Sequence, residues 1–139
     1  MKKTFDPKRL KPGGLLITCS SHEDRCLAVP EKWADWRPAS VLLVHYSDYN
    51  PKREINHALL RGKYDEDCEV FELFFDESSA VQSFRSNIEE IRSILKRHSG
   101  DQIVLDMSVF TKRHLLLTLN WIYDFGHAPF LNIVYTEPE

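Results

Sequence analysis

The sequence predicts an α/β fold: a single Rossmann-like domain in which helices cover both faces of a five-stranded, mainly parallel sheet. Short apolar runs, bounded by turn-forming residues, alternate with stretches whose apolar residues recur every three or four positions. Strands that alternate with helices form parallel sheets through right-handed crossovers. The predicted strands are Leu15 to Cys19, Val41 to Tyr46, Glu69 to Phe75, Ile103 to Leu105 and Leu131 to Tyr135.

The composition of individual strands also predicts their places in the sheet. Val41 to Tyr46 is almost continuously apolar, which suits a strand covered on both faces. In Glu69 to Phe75, Val70 alternates with the glutamates at the start, which is typical of a strand nearer an edge. We expect the first and fourth strands to be neighbours at the centre, because their polar ends then meet in one crevice.

Four helices are predicted between the strands. The first begins within Ser20 to Arg25, where Ser and Asp are available as caps, and runs towards Trp33 or Trp36; Pro30 keeps it short or kinks it. The second begins at Pro51 and continues over Lys52 to Lys63, closed by Gly62. The third opens at Asp76 to Ser78, and its stripe facing the sheet is Val81, Phe84, Ile88, Ile91 and Leu95.

The fourth predicted helix, His114 to Asp124, is apolar on nearly every side. One sheet cannot cover so many apolar faces, and large exposed apolar surfaces usually mark interaction sites. We therefore expect a homodimer or burial against another segment. If the main role of the chain is to present this helix to a partner, the protein is a structural interaction module.

Length and composition limit the classes of protein that the chain can represent. The 139 residues are 42% hydrophobic, which is enough for one domain spanning residues 1–139 with a core of its own. Met1 to Gly14 forms a basic lead-in that ends in a turn. The net charge of −3 argues against broad electrostatic capture of nucleic acid.

Cysteine and histidine usage gives no sign of a metal or disulfide framework. Cys19, Cys26 and Cys68 lack CxxC spacing, and we expect Cys19 and Cys26 to be packing residues. No signal peptide, long apolar span or metal-type histidine spacing is present, so a cytoplasmic protein without a membrane segment or metal is expected. Neither GxGxxG nor a P-loop occurs, and no cofactor is predicted.

Three predicted strand ends share one pattern, in which short polar residues precede a cation in the next helix. Free N–H groups at a helix start attract anions, and a nearby Arg or Lys adds charge-assisted hydrogen bonds. The alternative is that the polar residues are helix caps and the cations are solvated. The pattern comprises Ser20, Ser21 and Arg25; Asp48, Asn50 and Arg53; and Ser108, Thr111, Lys112 and Arg113.

Asp106 stands out because it follows an apolar strand, where a carboxylate is costly unless it is hydrogen-bonded or paired. It either contacts a ligand or ties down its own loop. Asp106 and Glu23 are the candidate catalytic carboxylates, and His22 and His45 have side chains suited to acid or base chemistry. Such residues are more often ordinary loop or core groups.

Asp106-Met107-Ser108-Val109-Phe110-Thr111-Lys112 resembles the motif after the fourth strand of CARF domains (the CRISPR-associated Rossmann fold), roughly Asn/Asp-x-Thr-Gly-Gly-Thr-Lys. Val109 and Phe110 stand where that motif has two glycines. The resemblance implies that this loop and the loop Cys19 to Arg25 bind a cyclic oligonucleotide messenger across a homodimer.

The whole chain also resembles a group of prokaryotic proteins with a Ser-x-Glu-x-Arg-Cys segment, here Ser21 to Cys26, and a Tyr-Thr-Glu-Pro ending, here Tyr135 to Pro138. That resemblance implies a role in antiviral defence, in which an effector protein or domain responds to the bound signal.

Leu16 to Arg25 is similar to the opening of TIR domains, some of which cleave NAD, although no Trp-Cys-x-x-Glu segment follows. The alternative to a nucleotide sensor is therefore a TIR-like or ring-nuclease-like enzyme that cleaves NAD or a cyclic nucleotide. The sequence favours a nucleotide or other phosphate-bearing ligand.

Overall fold

The computed structural model describes residues 10–126 and 128–138. Residues 1–9, most of the predicted lead-in, lie outside the described residues. The strands are β1 (Leu15–Cys19), β2 (Ser40–Tyr46), β3 (Glu69–Phe75), β4 (Ile103–Asp106) and β5 (Leu131–Val134). The helices are α1 (Ala28–Lys32), α2 (Pro51–Tyr64), α3 (Ala80–Arg97) and α4 (Lys112–Asp124), with 3-10 turns at Asp24–Leu27 and Ala128–Phe130.

All five strands are parallel and lie in the order β3-β2-β1-β4-β5. β1 is central and pairs with β4 through Leu15–Ile103, Leu16–Val104 and Ile17–Leu105. The five-stranded parallel sheet, the central pairing of the first and fourth strands, and the edge position of the third strand are confirmed.

Successive residues of a strand face opposite sides of the sheet, so each face has its own apolar core. One core joins Leu16, Leu43 and Val104 to residues of the 3-10 turn Asp24–Leu27, α1 and α2. The other core joins Ile17, Val44 and neighbouring strand residues to α3 and α4. Helices therefore cover both faces, as predicted.

Two helix boundaries differ from the prediction. α2 continues through Gly62 to Tyr64, which is 2% exposed and packs in the core beside Leu60. Burying this ring outweighs the helix propensity cost of one glycine, about 1 kcal/mol. The first helix is divided into the 3-10 turn Asp24–Leu27 and the five-residue α1, which contains Pro30.

The start of α3 also differs from the prediction. Asp76 Oδ1 accepts hydrogen bonds from the backbone N–H and the hydroxyl of Ser78, so Asp76 closes a local turn. Ser79 caps the helix instead, accepting from Gln82 N at 3.2 Å. Val81 is 61% exposed and lies outside the buried stripe, because the helix turns this first-turn side chain towards solvent.

α4 buries His114, Thr118 and Ile122 against the sheet. Leu117 and Trp121 are partly buried against the same core, whereas Leu116 and Tyr123 are 62% and 63% exposed. The apolar surplus of the helix is therefore smaller than the sequence predicted, although an exposed apolar strip remains. No helix in the part of the chain that the structure describes is long and apolar enough to cross a membrane.

The turn before β1 provides a test of the central strand. Gly13 and Gly14 have φ of +92° and +88°, and a Cβ on Gly14 would lie 2.5 Å from Gln102 O, whereas a Cβ on Gly13 meets nothing within 4 Å. We expect Gly13→Ala to lower the free energy of unfolding by about 1 kcal/mol through backbone strain alone. Gly14→Ala adds a backbone clash and should cost about 3 kcal/mol.

Urea unfolding of the two variants measures this difference. Equal losses at Gly13 and Gly14 would contradict the close approach of Gly14 to the segment that enters β4.

Candidate functional site

The candidate site lies at the carboxyl ends of β1 and β4. After β1 the chain enters the helices on one face of the sheet, and after β4 it enters α4 on the other face. The two loops therefore leave neighbouring strands in opposite directions, which is the geometry of a ligand crevice in open α/β sheets. Ser21 and Ser108 begin these loops and lie at the same edge of the sheet, as predicted.

Asp106 is 2% exposed and holds the loop after β4. Its Oδ1 accepts from Ser108 N at 3.1 Å and from Ser108 Oγ at 2.6 Å, while Oδ2 has no hydrogen-bond partner among the described residues. Burial raises the pKa of Asp106, against the opposing effects of the Ser108 hydrogen bonds and the Arg25 charge. The structure thus gives Asp106 a loop-tying role.

Arg25 joins the loop after β1 to the segment after β5. Its guanidinium donates to Thr136 O at 3.1 Å, to Tyr135 Oη at 3.5 Å and to Glu23 at 3.2 Å. Ser108 Oγ accepts from Thr136 N at 2.8 Å, so Arg25 and Ser108 hold the same residue from two sides. Arg25 and the candidate catalytic residue Glu23 are therefore paired with each other in this conformation.

The side chains of the two serines after β1 form hydrogen bonds with other residues of the chain. Ser20 is 0% exposed; its Oγ lies 3.4 Å from Val44 O and 3.0 Å from His57 Nδ1. Ser21 Oγ accepts from Glu23 N at 3.1 Å, and Ser21 O accepts from Asn56 Nδ2 at 2.9 Å. Both hydroxyls therefore contact neighbouring residues of the chain in this conformation.

His57, on α2, links Ser20 to Glu72. Its Nε2 lies 2.7 Å from Glu72 Oε1, and Glu72 pairs with Arg61 at 2.5 Å. Partial burial would raise the pKa of Glu72, but the Arg61 and His57 contacts outweigh burial and lower the pKa. The ring of His45 stacks on His57 at 4.2 Å. No sequence signal identified His57 or Glu72, since their contacts join residues far apart in the chain.

At the end of β2 the polar residues support the start of α2. Asn50 caps the helix by accepting from Arg53 N at 3.1 Å, and Asp48 O accepts from Arg53 Nη1 at 2.8 Å. Asn50 is therefore a helix cap, whereas Asp48 supports α2 through its backbone and its exposed carboxylate stays a predicted ligand contact. Arg53 itself is buried, at 7% exposure.

At the start of α4, the predicted residues divide into a cap and two cations. Thr111 caps the helix: its Oγ1 accepts from His114 N at 3.3 Å and also contacts His114 Nδ1, while Thr111 N donates to Tyr46 Oη at 3.1 Å. The exposed side chains of Lys112 and Arg113 make no hydrogen bond or ion pair with the described residues. They are available to a ligand.

The thiols near the site are not activated. Cys19 and Cys26 are both 0% exposed, and burial raises the pKa of both, that of Cys26 to about 11. A thiol with a raised pKa stays protonated at neutral pH and is a poor nucleophile. Within residues 10–126 and 128–138, no three His, Cys, Asp or Glu side chains are grouped so that they could hold a metal ion.

The buried histidines near this edge make stability depend on pH. Burial lowers the pKa of His45 and of His114 from 6.5. In the unfolded chain these rings take up protons near pH 6.5, while in the folded protein they stay neutral to lower pH. The unfolded state then binds more protons, so the free energy of unfolding should fall as the pH drops from about 7 to about 5.5.

Urea unfolding at these two pH values measures the effect, above the range in which unperturbed carboxylates titrate. His114→Gln should weaken the pH dependence, because it removes one of the two rings. An unchanged difference between the two pH values in His114→Gln would contradict this account.

Comparison with known proteins identifies the fold. No protein-family model matches the chain, and no curated protein matches it. It is similar to Can2 from Sulfobacillus thermosulfidooxidans in complex with cyclic tetra-adenylate, with TM-score 0.57, 14% identity and coverage of 88% of this chain and 32% of that chain. It is also similar to Enterococcus italicus Csm6 bound to cyclic hexa-2'-fluoro-hexa-dAMP, with TM-score 0.60, 10% identity and coverage of 91% and 34%.

The chain thus spans about a third of the length of each of these proteins. It shares the fold of one part of each, and the Rossmann-like α/β fold that the sequence predicted is confirmed.

Proposed function

We propose that this chain is a ligand-sensing domain for a nucleotide-type anionic signal of the cyclic oligoadenylate class, acting in prokaryotic antiviral defence. The observation that carries the proposal is the start of α4, where Lys112 and Arg113 are exposed and unpaired among the described residues. The first turn of a helix also has N–H groups without intrahelical acceptors, so charge and hydrogen-bond donors act together on an anion.

The similar proteins support the choice of ligand. Can2 is in complex with cyclic tetra-adenylate, and Csm6 is bound to a fluorinated cyclic hexa-dAMP. Both ligands are rings of phosphodiester-linked adenosine-type nucleotides, which combine negative charge with aromatic bases. A crevice for this class needs cations for the phosphates and aromatic side chains for the bases.

Exposed aromatic side chains are present near the same edge. Tyr49, in the loop after β2, is 80% exposed, and Tyr135, directly after β5, is 53% exposed. Stacking of a base on an aromatic ring contributes about 1 to 3 kcal/mol. We infer that one of these rings supports an adenine base.

We propose binding without an assigned cleavage step. Of the two candidate carboxylates, Asp106 is buried with one oxygen bonded to Ser108, and Glu23 is paired with Arg25. Product analysis with Glu23→Gln and Asp106→Asn distinguishes an enzyme from a sensor. In an enzyme, these variants abolish product while ligand still binds.

We further propose that the chain acts as a homodimer through α4, with the response delivered by an effector protein or domain. The exposed strip that includes Leu116 and Tyr123 is the surface available for a second copy. The three free thiols suit the reducing cytoplasm as its compartment.

The ligand site is tested by removing one charge at a time. Lys112→Ala or Arg113→Ala should each weaken binding of cyclic tetra-adenylate by about 1.5 to 3 kcal/mol, or roughly 10- to 150-fold, as expected for a charge-assisted hydrogen bond. Isothermal titration calorimetry measures the affinity, with cyclic hexa-adenylate, NAD and mononucleotides as competing candidates.

Lys8 lies outside the described residues, so Lys96 and Arg85 are better matched controls. Both are exposed side chains of α3, which covers the same face as α4 but does not begin at the crevice. Their alanine variants should bind as the wild type does. Equal behaviour of Lys112→Ala and Lys96→Ala towards every anionic ligand would place the site elsewhere.

The dimer is tested by placing a charge on the strip. Leu116→Asp should give a monomer by light scattering, because a carboxylate cannot be buried in an apolar interface without a partner. Ile55, on α2, is 57% exposed and provides the matched control. A wild-type monomer, or a dimer that dissociates equally in Ile55→Asp, would contradict the proposal.

A further inference from the structure

Arg53 is a buried cation at the carboxyl edge of the sheet. It belongs to the first turn of α2, a position usually open to solvent, yet its side chain is 9% exposed. Nη1 donates to Asp48 O at 2.8 Å, and the guanidinium lies 5.8 Å from the centre of the Tyr46 ring. Nε is buried and has no hydrogen-bond partner among the described residues.

The charge of Arg53 is incompletely compensated. Its paired carboxylate is Glu77, whose Oε2 lies 3.8 Å from Nη2 and whose side chain is 45% exposed. A charge-assisted N–H to oxygen bond is shorter, about 2.7 to 2.9 Å. Buried charges are normally paired and fully hydrogen-bonded, because desolvation is costly. An anion that replaces the distant Glu77 would complete the coordination.

The position of Arg53 connects it with the candidate site. The guanidinium lies over the Tyr46 ring, and the hydroxyl oxygen of the same tyrosine accepts a hydrogen bond from Thr111 N at 3.1 Å. Thr111 is the residue directly before Lys112. The charge of Arg53 also opposes the burial-driven rise of the pKa of Cys19, the last residue of β1. Arg53 thus lies beside the start of α4.

We propose that Arg53 binds a phosphate of the ligand through its planar fork of N–H donors, and that Glu77 occupies this position in the free protein. The inference rests on the proposed function and adds a second phosphate contact, on the β2 side of the crevice. Bidentate recognition of phosphate needs a guanidinium, which lysine cannot reproduce. Glu77 then competes with the ligand for Arg53.

The test is a double-mutant cycle with calorimetric titration of cyclic tetra-adenylate. Arg53→Gln should weaken binding by roughly 10- to 150-fold, and Arg53→Lys should lose part of that affinity. Glu77→Gln should tighten binding several-fold, and this gain should vanish when Arg53→Gln is also present. Glu54→Gln is the matched control, because Glu54 lies next to Arg53 in sequence but pairs with His45.

The outcomes separate this inference from the proposed function. If Lys112→Ala loses binding while Arg53→Gln and Glu77→Gln bind as the wild type does, the assignment of Arg53 is overturned and the proposed site stands. Equal gains in Glu77→Gln and Glu54→Gln would also overturn it, since the effect would then be general electrostatics. If the wild type binds no cyclic oligoadenylate, both the proposed function and the assignment of Arg53 are wrong. Should Arg53→Gln fail to fold, the affinity of Glu77→Gln alone tests the assignment of Arg53.

Discussion

The pairing of β1 with β4 is the constraint on which the candidate site depends. It consists of three registered pairs, and all six residues are at most 2% exposed. One half of the chain winds from β1 outward to β3, and the other half returns to the opposite side of β1. Right-handed crossovers then place α1 and α2 on one face and α3 and α4 on the other. The crevice follows from this reversal, because the loops after β1 and β4 leave in opposite directions.

The walls of the crevice are held by polar contacts between residues far apart in sequence. Asp106 holds Ser108, Ser108 holds Thr136, and Arg25 binds Thr136 from the other side. A buried carboxylate and a partly buried arginine are costly unless hydrogen bonds such as these compensate their charges. The Ser-x-Glu-x-Arg-Cys and Tyr-Thr-Glu-Pro segments therefore have a structural explanation: Arg25 of the first binds residues of the second. Conformational adjustment here would move both loops of the crevice together.

The architecture was predictable because the residues of each strand indicate both the strand and its position in the sheet. The apolar run Leu15 to Cys19 and the alternating run Glu69 to Phe75 were assigned correctly to the interior and to an edge. The errors occurred where tertiary packing overrides local preference. Gly62 does not close α2, because burial of Tyr64 extends the helix as far as that residue.

Within the site, the sequence predicted the sheet edge at which the residues lie, but not the contacts that their side chains make. Capping by Asn50 and Thr111 was the simpler reading of their positions, and the structure shows it. The contact of Ser20 with His57 depends on how α2 packs over β1, which no local pattern encodes. The burial of Arg53 likewise depends on Tyr46 and on the segment after β3. No local pattern therefore distinguishes the buried cation Arg53 from the exposed cations Lys112 and Arg113.

The most direct test of the account is to map the bound ligand onto the chain by amide chemical shifts. Cyclic tetra-adenylate added to the labelled protein should perturb the amides of residues 20–25 and 107–113, with the largest changes at Lys112 and Arg113, where the N–H groups face the anion. Amides along the outer edge of β3 should be unchanged. Perturbations concentrated on β3 and α3, or none at saturating ligand, would contradict a nucleotide site at the β1–β4 crevice.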